Sequence, residues 1–415
     1  MTKREEPMRN KSEVEPEGDR PGPITLQMAP PSPSRQGREA LLLGGRLLIR
    51  TPHGLKPLDQ MLIEAGAALP ASRVLSAQVV SAMPALALGA LRPEAAVTYY
   101  HYDLFHVRQA ETLAAGHRIQ NLTAACLPDL PVEEPRPELI LSEFHRDGEV
   151  GLACELIRQA HGRLAQSGKM LATINNPHDQ WLRRQLEKTF GNLTLLKKEN
   201  KHGLLYSVKR ADRPAGPAGE PARHFVAQVE VRFGEERLTF DTCYGTFNSH
   251  GLDEGSRALV EMMSSEPRES ILDLGCGWGG LGLLAARKVG ARRLTMIDAN
   301  ARAVEMARRN AAKYGPPETE VRLESDVESL QGANGVGSFD AVVTNPPYGT
   351  DFRVPDLFIS MAWRALKPGG RMWLVAKANE HLPRRVEETF GNIEVLRRRG
   401  YSILTAQRAN TRRYE

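Results

Sequence analysis

Residues 271–282 read ILDLGCGWGGLG. The apolar run Ile271–Leu274 has the length and continuity of a strand buried on both faces, and it runs straight into glycines. Leu281–Val289 then continues as a helix. Gly275, Gly277 and Gly279 let the connecting backbone turn tightly and approach a ligand closely. A lone glycine loop is weak evidence, because nucleotide-binding dehydrogenases use one too. Here the acid comes first, at Asp273, and the glycines alternate after it. That order suits a ligand with a positive amino group near the strand end, not a pyrophosphate. Cys276 and Trp278 occupy the variable positions. Cys276 is counted as a ligand contact with its loop, whereas Trp278 either lines the pocket or packs.

Downstream, strands and helices alternate. Leu294–Ile297 reads as a second strand, Ala301–Tyr314 as a helix and Val321–Leu323 as a third strand. Phe339–Thr344 reads as a fourth strand, with a helix around Leu357–Leu366 and a fifth strand at Arg371–Ala376. Tyr401–Gln407 closes the region. Such alternation implies an α/β fold with a mostly parallel, doubly wound sheet. Sheets of this kind bind ligands outside the C-terminal ends of their strands.

Three further signals sit at those ends. Asp298 ends the second strand, where a carboxylate can accept from two ribose hydroxyls. Asp326 follows the third strand, where an acid can accept from an adenine amine while Val327 packs the ring. A helix N-cap is the competing reading of Asp326. Asn345-Pro346-Pro347-Tyr348 follows the fourth strand. Its prolines fix the backbone and carry no amides, so carbonyl oxygens are free to face the cleft. The Asn345 side-chain oxygen and the Pro346 carbonyl suit a planar exocyclic amine, and Tyr348 offers a face on which a base can stack.

Together, DLGCGWG, Asp298, Asp326 and NPPY resemble a class I S-adenosylmethionine-dependent methyltransferase. NPPY resembles the amino-methylating group, which acts on adenine N6, guanine N2 or a glutamine amide. YGTFNSHGLDEGS (244–256) and ETFGNIEVLRRRGYSILTAQ (388–407) resemble the bacterial ribosomal RNA guanine-N2 methyltransferases. The family usually has Pro where this chain has Tyr244, and often Phe where it has Tyr348. The resemblance implies that Asp273, Gly275, Cys276, Gly277, Gly279, Asp298, Asp326, Val327 and Asn345 hold S-adenosyl-L-methionine. It implies that Asn345, Pro346, Pro347 and Tyr348 hold the target base, with Phe247 closing over the site.

The chain also repeats itself. LRRQLEKTFGNLTLL (182–196) and LPRRVEETFGNIEVL (382–396) share eight of fifteen residues. LAQSGKM (164–170) lies over LKPGGRM (366–372), ELILS (138–142) over DAVVT (340–344), and RVLS (73–76) over SILD (270–273). Collinear segments of this kind indicate a duplicated domain. In the first copy Asp273 is replaced by Ser76, Gly275 by Gln78, Gly277 by Val80 and Asp298 by His101. NPPY is replaced by Glu143, Phe144, His145 and Arg146. That copy is expected to bind no S-adenosylmethionine and to serve as an RNA-docking surface or a support for its twin.

The expected organisation is a disordered tail over 1–38, a degenerate methyltransferase-like domain over 39–210, a Pro/Gly-rich linker over 211–223 and a catalytic domain over 224–415. Of the 415 residues 41% are hydrophobic and 25% charged, which excludes collagen, coiled coil and a wholly disordered chain. No apolar run approaches the roughly 18 residues of a transmembrane helix, and residues 1–20 lack the apolar core of a secretory signal. The four cysteines have neither metal-ligand nor redox spacing, so the expectation is reduced thiols, no metal and a cytoplasmic protein. A net charge of +5 permits an anionic partner, and Arg397, Arg398, Arg399, Arg412 and Arg413 concentrate cations near the C-terminus.

The function implied is methylation of a guanine N2 in ribosomal RNA, on the free RNA or a ribosomal subunit, with the oligomeric state open and a monomer favoured. Adenine N6 or protein-glutamine methylation is the alternative within enzymes. A non-catalytic RNA-binding assembly protein is the alternative outside them, and the intact DLGCG and NPPY argue against it.

Overall fold

A computed structural model describes residues 22–27, 38–212, 226–327, 329, 336–347, 353–377 and 381–409. The linker expected over 211–223 falls mostly outside the described residues, as do Tyr348, Arg412 and Arg413. The chain divides into two compact units, residues 1–55 and 56–415.

The small unit holds a three-stranded sheet of β1 (Ile24–Gln27), β2 (Arg38–Leu42) and β3 (Leu47–Thr51). The expectation of disorder over 1–38 is corrected at 24–27, where β1 pairs in parallel with β3. Leu26, Leu47 and Ile49 are buried there, so a few apolar side chains overcome the polar composition around them. Residues 39–55 belong to this unit rather than to the domain that follows.

The large unit opens with α1 (Pro57–Ala68), β4 (Arg73–Ala77), α2 (Met83–Leu91), β5 (Ala96–His101), α3 (Leu104–Gly116) and β6 (Leu122–Cys126). There follow β7 (Leu139–Phe144), α4 (Val150–Arg163), β8 (Lys169–Ile174), α5 (Gln180–Phe190), β9 (Thr194–Glu199) and β10 (His202–Val208). Next comes a hairpin of β11 (Val226–Phe233) and β12 (Glu236–Cys243), then α6 (Glu254–Met262). The second sheet follows as β13 (Ser270–Leu274), α7 (Gly280–Val289), β14 (Arg293–Asp298), α8 (Ala301–Tyr314), β15 (Glu318–Leu323) and β16 (Phe339–Thr344). It ends with α9 (Arg353–Ala365), β17 (Leu366–Ala376), α10 (His381–Phe390), β18 (Glu394–Arg398) and β19 (Tyr401–Gln407).

The two seven-stranded sheets have one topology: β6-β5-β4-β7-β8-β10-β9 and β15-β14-β13-β16-β17-β19-β18. Only β10 and β19 run antiparallel to the other strands of their sheets. The register bears out the sequence alignment. Val74 pairs with Val97 and Leu139, as Ile271 pairs with Leu294 and Ala341. Both faces of the second sheet are covered, as a parallel sheet requires. Ile271 packs with residues of α6, α7 and α8, whereas Leu272 and Leu274 pack with residues of α9 and α10. No helix among the described residues is long and apolar enough to cross a membrane.

Candidate active site

The strand order reverses beside β13, whose neighbours β14 and β16 lead to helices of different layers. A crevice opens at the C-terminal ends of such strands. Pairing of Leu274 with Thr344, tightened by the Thr344 hydroxyl donating to the Leu274 carbonyl at 2.8 Å, brings the ends of β13 and β16 level, with Asp273 opposite Val343 and Asn345 following Thr344.

Asp273 is fully buried. Its Oδ2 accepts from the Gly282 amide at 2.8 Å, and its Oδ1 has no partner among the described residues. Burial pushes the carboxyl up to about 8, against the pull of the Gly282 amide. An unpartnered buried carboxylate oxygen is costly, and a cationic group would satisfy it. Gly275 and Gly277 take positive φ, +70° and +56°. A Cβ at Gly277 would meet nothing within 4 Å, so this stretch of loop borders open space. The Gly277 amide donates to Asp298 Oδ2 at 2.8 Å, and the Asn300 amide donates to Asp298 Oδ1 at 2.8 Å. Burial raises the Asp298 carboxyl to about 6. Each of its oxygens keeps a lone pair for a further donor.

The remaining sequence candidates divide. Cys276 is enclosed in the core, and its thiol donates to the Gly277 carbonyl at 3.5 Å. Trp278 packs on Phe240 at 5.2 Å between ring centroids, which decides that residue for packing. Val327 is fully buried in the core that includes Leu274 and Ile297. Asp326 is half-buried, and its backbone carbonyl accepts from the Ser329 hydroxyl at 2.8 Å. Gly279 is the left-handed residue that caps α7. Pro346 is buried, Pro347 is exposed and Phe247 is 66% exposed. The Asn345 amide donates from Nδ2 to Asp253 Oδ2 at 2.8 Å and to Ser256 Oγ at 3.0 Å.

The first half presents the same frame with its crevice filled. Gln78 keeps the left-handed turn of its counterpart, with φ +58°, and its amide donates to Tyr100 as that of Gly275 does to Ile297. Glu143, the counterpart of Asn345, accepts from the Val80 amide at 3.4 Å and pairs with His145 at 2.9 Å. His101 stands where Asp298 stands, and burial pulls it down to about 3, so the position carries no charge.

Sequence reading missed what the first half does for the second. The Tyr102 carbonyl accepts from Ala301 at 2.7 Å, and the Leu104 amide donates to Ala299 at 2.8 Å. These two bonds form a local pseudo-twofold contact between the segments following β5 and β14, directly beside Asp298. Arg302 is fully buried; it pairs with the fully buried Glu155 and with Asp129 at 3.2 Å. Its Nε also donates to the Tyr244 carbonyl at 2.6 Å. Arg108 on α3 pairs with Glu324 at 2.9 Å, two residues before Asp326. Nothing in the spacing of these residues along the chain marks them as partners.

The basic C-terminal stretch is partly engaged within the protein. Arg398 donates to Glu261 at 2.6 Å, and Arg399 bonds Glu261 at 2.8 Å and Glu254 at 3.0 Å. Among the described residues no group of three His, Cys, Asp or Glu side chains is placed to hold a metal.

The family model "Methyltransferase small domain" matches residues 237–405. The YbxB protein of Bacillus subtilis is 31% identical over 185 residues, which cover 43% of this chain and 89% of that protein. The ribosomal RNA small subunit methyltransferase C of Pseudomonas aeruginosa is 29% identical over 261 residues, 61% of this chain and 70% of that one. Among solved structures, a T. thermophilus 16S rRNA N2 methyltransferase in complex with AdoMet and guanosine superposes with a TM-score of 0.67. It is 20% identical and the match covers 90% of this chain and 98% of that one.

Proposed function

The chain belongs to the methyltransferase small domain family, and from that premise we propose that it methylates the exocyclic N2 of a guanine in ribosomal RNA. The chain is an S-adenosylmethionine-dependent methyltransferase. The observation that carries the reading is that β13 holds Asp273, with its unpartnered buried oxygen, and that the adjacent β16 leads directly into Asn345. One ends in a cradle for a cationic amino acid, the other in acceptors for an amine. The names of the relatives and of the solved neighbour support the choice of ribosomal RNA and of guanine N2.

Asp273 and the open loop at Gly277 would hold the amino-acid end of the cofactor. Asp298 would accept from the ribose hydroxyls, and Asp326 with Val327 would border the adenine. S-adenosylmethionine, when bound, supplies a methyl group on a positively charged sulfur. Asn345 Oδ1 and the Pro346 carbonyl would accept from the guanine amine and hold its lone pair on line with that methyl. The amine is a weak nucleophile because its lone pair is delocalised into the ring. Positioning is therefore the main catalytic lever, and in favourable cases it supplies about 7–11 kcal/mol. The amine becomes acidic as its new bond forms, so no strong base is required. A stacked guanine must first be extruded, and Tyr348 would offer it an aromatic face. The filled crevice of the first half supports one cofactor per chain and a bracing role for that half.

Transfer of a labelled methyl group to ribosomal subunits, followed by digestion to nucleosides, tests this. N2-methylguanosine is the expected product. Label in N6-methyladenosine or in protein would overturn it in favour of another amine acceptor.

A further inference from the structure

We propose that Asp253 is a positioning residue for the methyl acceptor: it locks the Asn345 carboxamide so that its oxygen, not its nitrogen, faces the target amine. This rests on the base-holding role of Asn345 proposed above. An asparagine side chain offers an acceptor at one end and a two-proton donor at the other, in almost the same shape. Rotation by half a turn exchanges them. Only one orientation attracts an amine that must keep its own lone pair free.

The structure shows what decides between the two. Asp253 Oδ2 accepts from Asn345 Nδ2 at 2.8 Å, and Ser256 Oγ accepts from the same nitrogen at 3.0 Å. An ionised carboxylate has lone pairs and no proton. A flipped amide would set its oxygen against Oδ2, with repulsion in place of a charge-assisted bond. With Nδ2 committed on this side, Oδ1 is turned away from α6.

The device is contained in four consecutive residues, Asp253-Glu254-Gly255-Ser256. Asp253 Oδ2 also accepts from the Ser256 amide at 3.1 Å, capping α6, so the start of the helix fixes the carboxylate. Gly255 gives it room, since a Cβ there would lie 2.9 Å from Asp253 Oδ2 and 2.7 Å from Val375 Cγ1. Ser256 is buried. One oxygen thus both starts a helix and orients an amide ninety-two residues away in sequence. The consequence for substrate class is direct: the lock favours acceptors that present an NH2 group.

Three variants separate the two jobs of Asp253. Serine caps a helix as well as aspartate does, but its hydroxyl is one bond too short to reach Asn345. Asparagine can place its own oxygen where Oδ2 lies and keep both bonds. Alanine keeps neither. The measurements are kcat and KM on ribosomal subunits, the Kd of S-adenosylmethionine and thermal unfolding. Asp253→Ser is expected to lower kcat roughly ten- to a hundredfold, with cofactor Kd and unfolding temperature held. Asp253→Asn is expected to restore kcat to within about threefold of the parent, because an amide oxygen also accepts. Asp253→Ala is expected to lose kcat like serine and some stability as well. Full kcat in Asp253→Ser would overturn the proposal and leave Asp253 as a helix cap alone. A kcat loss matched by a loss of cofactor affinity would overturn it too. A parent protein that methylates no ribosomal RNA would instead defeat the reading on which it rests.

Discussion

Asp273 and Asp298, the acids proposed to hold the cofactor, are both carboxyls that the fold keeps from ionising easily. The sign follows from linkage. Between the ordinary carboxylate value and about 8, the unfolded chain has released the Asp273 proton and the folded chain still holds it. This group's contribution to stability therefore falls as pH rises through that window. Binding of a cationic amino group runs the other way, because it favours the ionised carboxylate and expels the proton. Cofactor affinity is expected to rise by up to about tenfold between pH 6 and 7, with proton release on binding. Calorimetry in two buffers of different ionisation enthalpy measures both. Asp273→Asn is expected to abolish most of the pH dependence, and an unchanged slope in that variant would remove Asp273 from the amino-group site. The types and positions of both acids were legible in the sequence. Their raised affinities for protons were not, since burial is a property of the packed crevice.

At the scale of elements, the loop between β13 and α7 is held from several sides. The fully buried Asn310 on α8 donates to the carbonyls of Asp241 and Trp278, both at 2.8 Å. It thereby ties the hairpin strand β12 to the glycine loop. Two glycines of this region make a contrast that tests the assignment. A Cβ at Gly282 would lie 2.6 Å from Asp273 Oδ2, in the fully buried interior. Gly282→Ala is expected to lower the unfolding temperature and cofactor affinity together. Gly277 faces open space at positive φ, so Gly277→Ala should cost only about 1 kcal/mol of stability. Its methyl group would nevertheless stand where the ligand must approach, and cofactor affinity is expected to fall more than about tenfold. Equal effects of the two on stability and affinity would show that the Gly277 loop is a plain turn. Apolar runs and glycine spacing made β13, β14 and β16 readable in advance. The hairpin β11–β12 and helix α6 were not read in advance, although the alternation of Val229, Val231 and Phe233 and the turn at Gly234 mark the hairpin locally.

For the molecule as a whole, the first half braces the second beside Asp298. Arg302 follows Asp298 by four residues, and its charge is neutralised by Glu155 of the other half. Removing one partner of a buried ion pair leaves the other desolvated and typically costs about 3–5 kcal/mol. Glu155→Ala is expected to destabilise the protein by that amount in denaturant unfolding, and to weaken cofactor binding more than it weakens the fold of the first half. Residues 226–409 alone expose Arg302 and lose the bonds from Tyr102 and Leu104. They are expected to bind S-adenosylmethionine at least about tenfold more weakly than the whole chain, each lost backbone bond contributing about 0.5–1.5 kcal/mol. Full affinity in the isolated half would restrict the first half to contacts with RNA.

The sequence alone determined the α/β class, the tandem repeat and the identity of the decayed copy, because strand burial, turn glycines and strand-end acids are written locally. It also singled out Asp273, Asp298 and Asn345 as candidates, because acids and an amide stand at the ends of those strands. Tertiary structure decided that Trp278 packs on Phe240, that part of the supposed tail pairs as a strand, and that the Asn345 amide bonds Asp253 and Ser256. It decided too that Arg302 and Glu155 meet. These outcomes depend on which side chains long crossovers bring within a few ångströms of one another, and no local period records that.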